Sequence, residues 1–251
     1  MKFQELMAEL RGSILRDSSA LQSGPSDHFW DDDTLARYIN DAQLRFARRT
    51  LCIRDFTTPE VVEVSLATGI KDYVLHPSVR FVISARFGSV ALGRITTPLA
   101  SSIVNPSVDF WDNSYSANPG SPRAFYTDVG FDVDTREHPI VFTVYPTPSA
   151  TENGAIINLR VCRLPLKHFS MDADMLDMDC EIPTERQLDM LEWAAWLALR
   201  NWDVDSEDRR KAEDHKNRFN DAVKEARLEV TKEIFQPYTW LFGSGGFTWS
   251  E

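Results

Sequence analysis

Apolar residues recur at helical spacing from the start of the chain. Phe3, Leu6, Met7 and Leu10 stand three or four positions apart, and this spacing predicts an amphipathic helix. Serine, glycine and proline interrupt the pattern between residues 17 and 26. A second apolar stripe then predicts a longer helix; its members are Leu35, Tyr38, Ile39, Ala42, Phe46 and Ala47.

The second helix has a predicted start and a predicted end. Asp31, Asp32 and Asp33 precede the stripe, and carboxylates favour a helix N-terminus because its backbone N–H groups carry partial positive charge. A metal cluster is the weaker alternative for these three acids. Arginines occupy the remaining faces of the helix, and Thr57-Thr58-Pro59 is expected to stop this element.

The middle of the chain changes from a helical period to short runs of β-branched and aromatic residues. Prolines and glycines separate the runs, as is typical of strands joined by turns. The pattern predicts an antiparallel sheet or a small sandwich. Residues 96–121 lack a clear pattern, and such a length is typical of a functional segment. The predicted strands are 61–66, 71–75, Val79–Phe87, 90–92, 124–127, Ile140–Tyr145 and Ile156–Arg163.

Helical periodicity returns in the last third of the chain. The apolar residues between 188 and 198 predict a broad buried helix face, to which Trp193 and Trp196 add bulk. Thr184 and Gln187 have the spacing of a capping box at the start of this helix.

The three-part pattern predicts an α+β fold. A charged helix with a narrow apolar stripe is expected from Ser206 to about Lys232. The predicted organisation is a helical segment at 1–57, a β-rich domain at 58–165 and a second helical segment at 166–232.

The C-terminal segment, residues 233–251, is unusually aromatic. Chain termini are normally polar, so such a segment exposes an apolar patch unless it docks on a surface. Glycine, serine and proline within it are expected to prevent a regular helix. We predict a docking arm that contacts a neighbouring subunit or another protein; packing on the chain's own body is the alternative. The arm residues are Phe235, Tyr238, Trp240, Leu241, Phe242, Phe247 and Trp249.

The chain is acidic. Its 38 acids and 27 bases give a formal net charge of −11. Because non-specific affinity for DNA comes mostly from Lys and Arg that neutralise phosphates, a general nucleic-acid-binding role is not expected. The charge would suit a protein that DNA passes without adhering, although the charge taken alone favours ordinary solubility as its explanation. Arg45, Arg48 and Arg49 are a local exception.

The three cysteines, Cys52, Cys162 and Cys180, lie far apart in the sequence. Their odd number argues against a disulfide framework and for a reducing compartment, so they are interpreted as small core residues. The apolar stretches are too short to span a bilayer, and no signal peptide is expected at the N-terminus. We therefore expect no membrane association.

Recognisable catalytic patterns are missing from the sequence. It contains no phosphate-binding glycine loop, no HExxH and no GxSxG, and the five histidines are scattered. The acids between residues 172 and 181 alternate as calcium ligands do, but they fit no EF-hand register, and a solvated loop is the more probable interpretation. We predict no catalytic residue, no metal and no cofactor, and therefore no enzymatic activity. The acids are Asp172, Asp174, Asp177, Asp179 and Glu181.

A series of short motifs follows in a distinctive order. They are Trp30-Asp31-Asp32, the helix start at residues 35–43, Arg49-Thr50-Leu51, Tyr73-Val74-Leu75-His76-Pro77, Gly120-Ser121-Pro122-Arg123-Ala124-Phe125, Tyr145-Pro146-Thr147-Pro148, Arg163-Leu164-Pro165-Leu166 and Glu181-Ile182-Pro183. This order resembles that of the podovirus-type head–tail adaptor (connector) proteins of tailed bacteriophages. The resemblance extends from Phe3 to about Phe219.

The resemblance implies a structural virion protein at the head–tail junction, assembled in the host cytoplasm. Such a protein forms a homo-oligomeric ring of about twelve subunits beneath the portal. The ring extends the DNA channel used for genome ejection, presents a docking surface to tail or nozzle proteins and does not bind DNA specifically. The two terminal helical segments would form a bundle that builds the ring, with the β domain as a central antiparallel insertion. Arg45, Arg48 and Arg49 would then be candidates for lining the channel.

Two other functions remain open at the level of sequence. One is a tail or baseplate receptor-binding protein whose β module uses Phe110, Trp111, Tyr115, Phe125 and Tyr126. The other is an enzyme with an unrecognised site. The mass of the native assembly distinguishes an adaptor from a receptor-binding protein, because a large ring indicates an adaptor and a trimer indicates receptor binding.

Overall fold

The protein is described by a computed structural model over residues 1–16, 30–95, 119–130, 139–200 and 206–239, with side chains of the last helix described from 209 to 233. The chain forms two compact units. The helical unit comprises Met1–Ile53 and Pro165–Glu251, and the β unit comprises Arg54–Leu164. Helices and antiparallel sheets both contribute, so the predicted α+β class is confirmed.

The described part of the helical unit contains one short helix and three longer ones. One-turn elements at Ala173–Leu176 and Thr184–Arg186 lie in the segment that leads into the third helix. The helices are α1 at Phe3–Glu9, which continues as π-helical turns at Leu10–Leu15, α2 at Asp32–Thr50, α3 at Gln187–Arg200 and α4 at Ser206–Thr239.

Local sequence determines both ends of α2. Asp31 is the N-cap residue, and its carboxylate accepts a hydrogen bond from the Thr34 N–H at 3.3 Å. The helix ends at Leu51, which has the left-handed conformation with φ of 58°. The predicted start of this helix is therefore confirmed, whereas the helix ends before the stop expected at Thr57-Thr58-Pro59, within the Arg49-Thr50-Leu51 motif of the resemblance. Its predicted apolar stripe is buried, apart from the half-buried Tyr38.

The aromatic side chains of the three long helices meet where α3 packs against both α2 and α4. The ring of Phe219 lies 6.0 Å from that of Phe46 and 5.1 Å from that of Trp193, between centroids. All three side chains are buried. Burial of one large apolar side chain contributes roughly 1.5–3 kcal/mol, so this junction is a major source of stability for the helical unit.

The start of α3 differs from the predicted capping box. The Gln187 side chain is buried, donates to the Ile182 carbonyl at 2.7 Å and accepts from the Met1 amino group at 2.8 Å. The predicted capping box would have required the side-chain amide of Gln187, which makes these contacts instead. Leu188, which was predicted on the apolar face, is 51% exposed, because the buried face of α3 is centred on later residues such as Leu191.

The last helix is longer than predicted. It continues to Thr239, beyond the expected end near Lys232, so the predicted arm begins inside a helix. Pro237 removes one backbone donor, but the hydrogen bonds of neighbouring residues let the helix continue past it. Residues 240–251 lie outside the described residues.

The β unit is built from short strands, three of which match the predicted runs from end to end. A one-turn helix at Pro59–Val62 covers the first two residues of the predicted run 61–66. Pro59 suits a helix start because its missing N–H needs no partner there. The strands are β1 Arg54–Asp55, β2 Glu63–Ser65, β3 Asp72–Val74, β4 Val79–Phe87, β5 Val90–Ala91, β6 Gly93–Arg94, β7 Ala124–Val129, β8 Ile140–Tyr145 and β9 Ile156–Arg163.

These strands form two sheets. In the first sheet, β9 pairs antiparallel with β1, β2 and β4, and β5 pairs with β4. The second sheet has the order β3-β8-β7-β6, in which β6 and β7 run parallel. Residues of both sheets belong to one buried cluster that includes Val82, Val161, Phe125 and Phe142. Two sheets that share a core correspond to the small-sandwich alternative predicted from the sequence.

Candidate interaction surfaces

The predicted docking arm lies largely outside the described residues. Phe235 and Tyr238 are placed in the last turns of α4, and their side chains are not described. The other five arm residues, Trp240, Leu241, Phe242, Phe247 and Trp249, fall beyond the described part of the chain. The docking role of the arm therefore stays a prediction.

The predicted basic residues of α2 lie on a surface with aromatic rings beneath it. The guanidinium carbon of Arg45 is 3.9 Å from the centroid of the Trp193 ring. That of Arg49 is 5.6 Å from the Phe219 ring, and its Nη1 donates to Asn220 Oδ1 at 2.8 Å. Arg48 is exposed on the same helix. Guanidinium groups at these distances are held by attraction to the ring faces, so Arg45 and Arg49 keep defined positions.

The ring of Trp193 has a fixed orientation. Its indole N–H donates to Asp41 Oδ2 at 2.7 Å, which links α3 to α2. On α3 itself, the Trp196 ring lies 4.2 Å from it between centroids. A buried Trp with a satisfied N–H gives Arg45 a rigid platform.

Arg227 of α4 belongs to the same basic surface, because it stands seven residues, or about two helical turns, after Asn220, which Arg49 contacts. Burial, and then the charges of Arg45 and Arg227, lower the pKa of the Arg49 guanidinium below its usual value. Arg227 is exposed. We call Arg45, Arg48, Arg49 and Arg227 the arginine patch. Sequence reasoning missed Arg227 because it stands far from α2 in the chain and is one of many charged residues on α4.

Within the described ranges, none of the four patch arginines forms an ion pair with a carboxylate. Other arginines of the helical unit do. Arg218 approaches Glu192 at 3.8 Å, and Arg186 contacts Glu229 at 2.5 Å. The patch thus has positive charge that the described residues do not neutralise.

Arg186 shows the contrasting, structural use of a guanidinium. Its side chain is mostly buried. It links the start of α3 to the C-terminal half of α4 through ion pairs with Asp189, Glu225 and Glu229. The hydrogen bond to Glu229 raises the pKa of Arg186 above its usual value, and burial opposes this rise less strongly. This arginine stabilises the packing of the two helices and is not available to a partner.

The acids between 172 and 181, which we call the acidic loop, do not converge on one point. Asp177 accepts from Lys2 Nζ at 2.9 Å and from Gln4 Nε2 at 3.1 Å. Glu181 accepts from the backbone N–H groups of Leu166 and Lys167. Among the described residues no group of three or more His, Cys, Asp or Glu could hold a metal ion. Asp172, Asp174 and Asp179 are exposed.

The cysteines occupy different environments. Cys162 is buried in the β unit. Cys180 is half-buried in the helical unit, where its thiol donates to Gln43 Oε1 at 3.3 Å, and burial raises its pKa to about 11. A thiol with so high a pKa is protonated at neutral pH and is a poor nucleophile. This agrees with a packing role for Cys180.

The receptor-binding alternative depends on aromatic residues in the β unit. Phe110, Trp111 and Tyr115 lie outside the described residues. Phe125 is 1% exposed and stacks on Phe142 at 5.2 Å between centroids, so it serves the core and not a ligand surface. Tyr126 is half-buried and stacks on Tyr145.

In the described part of the chain, every helix is too short or too polar to cross a bilayer.

The family model described as SU10 adaptor protein matches residues 1–238, and so covers the helical unit as far as the last turns of α4 as well as the whole β unit. A comparison with curated proteins gives no match.

Proposed function

The chain belongs to the SU10 adaptor protein family, and on that premise we propose that it is a head–tail adaptor of a tailed bacteriophage. Its role is structural. It forms a homo-oligomeric ring of about twelve subunits that binds below the portal and extends the DNA channel. The observation that carries the proposal is the family match, which spans nearly the whole chain.

We assign the two units different parts of this role. The helical unit brings together segments from both ends of the chain around the junction of Phe46, Trp193 and Phe219, and it is the ring-building part. The β unit carries the surface on which tail or nozzle proteins dock. Its exposed apolar side chains, such as Val74 at 72% and Val129 at 65%, offer contact area for a partner.

The C-terminal arm docks on the portal or on a neighbouring subunit. The last buried residue described on α4 is Val230, and residues 231–233 are exposed. With 34 residues, α4 is about 51 Å long at 1.5 Å per residue. The three described side chains that follow Val230 are thus exposed, which suits an arm that reaches another molecule.

The acidic charge fits a channel through which DNA must slide. A net charge of −11 per subunit is multiplied in a ring and repels the phosphate backbone, so the genome passes without adhering.

The test is to locate the protein in the virion and to measure its assembly. Cryo-electron microscopy of the purified phage should place this chain as a ring between portal and tail. Native mass spectrometry of the full chain, alone and with portal-bearing heads, should show a large closed oligomer. A trimer at the tail tip would contradict the proposal and support the receptor-binding alternative.

A further inference from the structure

The arginine patch and the acidic loop lie on opposite sides of α2. Gln43 of α2 faces the segment that carries the loop, since it contacts the Lys167 carbonyl at 3.2 Å and the Cys180 thiol at 3.3 Å. Arg45 follows two residues later. At 3.6 residues per turn this is about 200° around the helix axis, so Arg45 projects from the opposite face.

Further contacts place each patch in the helical unit. The acidic loop lies against α1, because Asp177 binds Lys2 and the Met178 carbonyl accepts from the Phe3 N–H at 2.9 Å. The arginine patch lies where the C-terminal half of α2 meets α4, as the bond from Arg49 to Asn220 shows. One unit thus carries a positive surface and a negative surface that do not face each other.

Both surfaces lack full neutralisation among the described residues. The four patch arginines have no carboxylate partner there. In the acidic loop, Asp174 and Asp179 are exposed, and no hydrogen bond or ion pair of their side chains is found among the described residues. Lys2 is the cation that contacts the loop: it forms an ion pair with Asp177, and its backbone bridge to Asp179 brings it close to the charge of that residue. Each surface therefore has charge available to a partner.

We propose that the arginine patch of one copy binds the acidic loop of the next copy, head to tail. The inference rests on the proposed ring and specifies its subunit interface. Head-to-tail contacts join two different surfaces and close into a ring when the rotation between copies permits, whereas a two-fold contact of either surface with itself would place like charges together. Guanidinium groups bind carboxylates through paired N–H donors, and the aromatic platform under Arg45 and Arg49 orients them for this.

DNA phosphate is the competing occupant, since the same arginines were candidates for lining the channel. Unneutralised guanidinium groups repeated around a channel would bind the phosphate backbone and resist sliding of the genome. A carboxylate partner from the neighbouring copy neutralises them and leaves the channel acidic. The observations favour the protein partner.

Charge reversal tests the inference. The first variant, Arg48→Glu with Arg227→Glu, reverses the charge at two of the four patch positions and spares the two stacked arginines that contribute to packing. The second variant, Asp174→Lys with Asp179→Lys, reverses the charge at two of the five acids of the loop. The control, Arg209→Glu with Arg210→Glu, makes the same charge change at exposed positions of α4. Circular dichroism of each variant verifies folding, and native mass spectrometry with portal-bearing heads measures assembly.

We expect each reversed variant alone to need at least about tenfold more protein for half-assembly than the wild type, because like charges now meet at the interface. The control assembles as the wild type does. A chain that carries all four patch and loop substitutions recovers assembly, since the substituted positions of the two surfaces again have opposite charge. An equal mixture of the two reversed variants also recovers it when the ring has an even number of subunits.

Wild-type assembly by the patch variant would overturn the inference, and a simultaneous loss of DNA retention would assign the patch to DNA. Failure of the four-substitution chain to assemble, while each variant remains folded, would also overturn it. If the wild type forms no ring with or without portal-bearing heads, the proposed function itself is wrong, and the two failures are thereby distinguished.

Discussion

The guanidinium of Arg163 donates through Nε to Asp55 Oδ2 at 2.6 Å, and both side chains are buried in the β unit. Asp55 lies on β1 and Arg163 ends β9, which are the strands by which the chain enters and leaves this unit. Asp55 also accepts from the backbone N–H groups of Thr57 and Thr58 and from the Thr58 hydroxyl. The pair therefore joins both connections of the β unit.

Substitution of Asp55 should destabilise the β unit and weaken the pH dependence of its stability. Burial alone would raise the pKa of this carboxyl, but hydrogen bonds from Thr57, Thr58 and Arg163 hold it well below its usual range. Removing one member of a buried pair costs about 3–5 kcal/mol, so Asp55→Ala should unfold at markedly lower urea concentration than the wild type.

The sign of the pH effect follows from the lowered pKa of Asp55. The Asp55 carboxylate contributes in full to the free energy of unfolding above its unfolded-state pKa of about 4. This contribution is lost as the pH falls below that value towards the lower folded-state pKa. Urea unfolding between about pH 6 and pH 3 should show a shallower pH slope for Asp55→Asn. Asp128→Asn, an exposed change on β7, is the control. An unchanged slope in Asp55→Asn would contradict the prediction.

Phe219 should be a key packing residue of the helical unit. Its ring is fully buried between Phe46 and Trp193 and lies beneath Arg49. Phe219→Ala leaves a cavity and should lower the free energy of unfolding by about 3–5 kcal/mol in urea titrations. Leu228→Ala on the same helix, at 62% exposure, should change it by no more than about 0.5 kcal/mol. Equal effects of the two changes would show that the junction is not the core of this unit.

The protein should bind duplex DNA weakly at physiological salt. Its net charge of −11 opposes the phosphate backbone, and even basic proteins bind non-specifically with Kd of about 10⁻⁴–10⁻⁶ M. A mobility-shift assay at sub-micromolar protein and about 150 mM salt should leave the DNA unshifted. A shift that disappears in Arg45→Ala would contradict this and show that the local basic surface dominates the net charge.

Truncation after Ile234 should abolish assembly and leave the fold intact. Residues 231–233 of α4 are already exposed, so the removed segment follows the last described core contact at Val230. Burying several aromatic anchors, at roughly 1.5–3 kcal/mol each, offsets the cost of ordering the arm when it docks. The truncated chain should keep its melting temperature and lose incorporation into rings or heads. Early melting or aggregation of the truncated monomer would show that the segment packs on the chain's own body.

Much of the local structure was predictable from residue patterns. The strands Val79–Phe87, Ile140–Tyr145 and Ile156–Arg163 coincide with the predicted runs, because β-branched and aromatic residues between turn residues define a strand locally. The start of α2 was equally clear, since Asp31 caps the helix within its own first turn.

Features that depend on distant residues were not predictable in this way. The capping box expected at Gln187 gave way to contacts with Ile182 and Met1, because a buried amide must satisfy its hydrogen bonds where partners are found. Helix α4 likewise continues to Thr239, although Pro237 has a helix-breaking tendency.

The sequence by itself determined the α+β class, the order of the elements and the acidic charge, since periodicity, turn residues and composition are properties of neighbouring positions. The tertiary structure alone decided which strands pair with β9, that Asp55 meets Arg163 across 108 positions, and that Arg227 joins the arginines of α2. The reason is physical. A contact between distant residues forms only when burial of a shared core compensates the entropy of closing the chain between them, and no local pattern records which surfaces that core brings together.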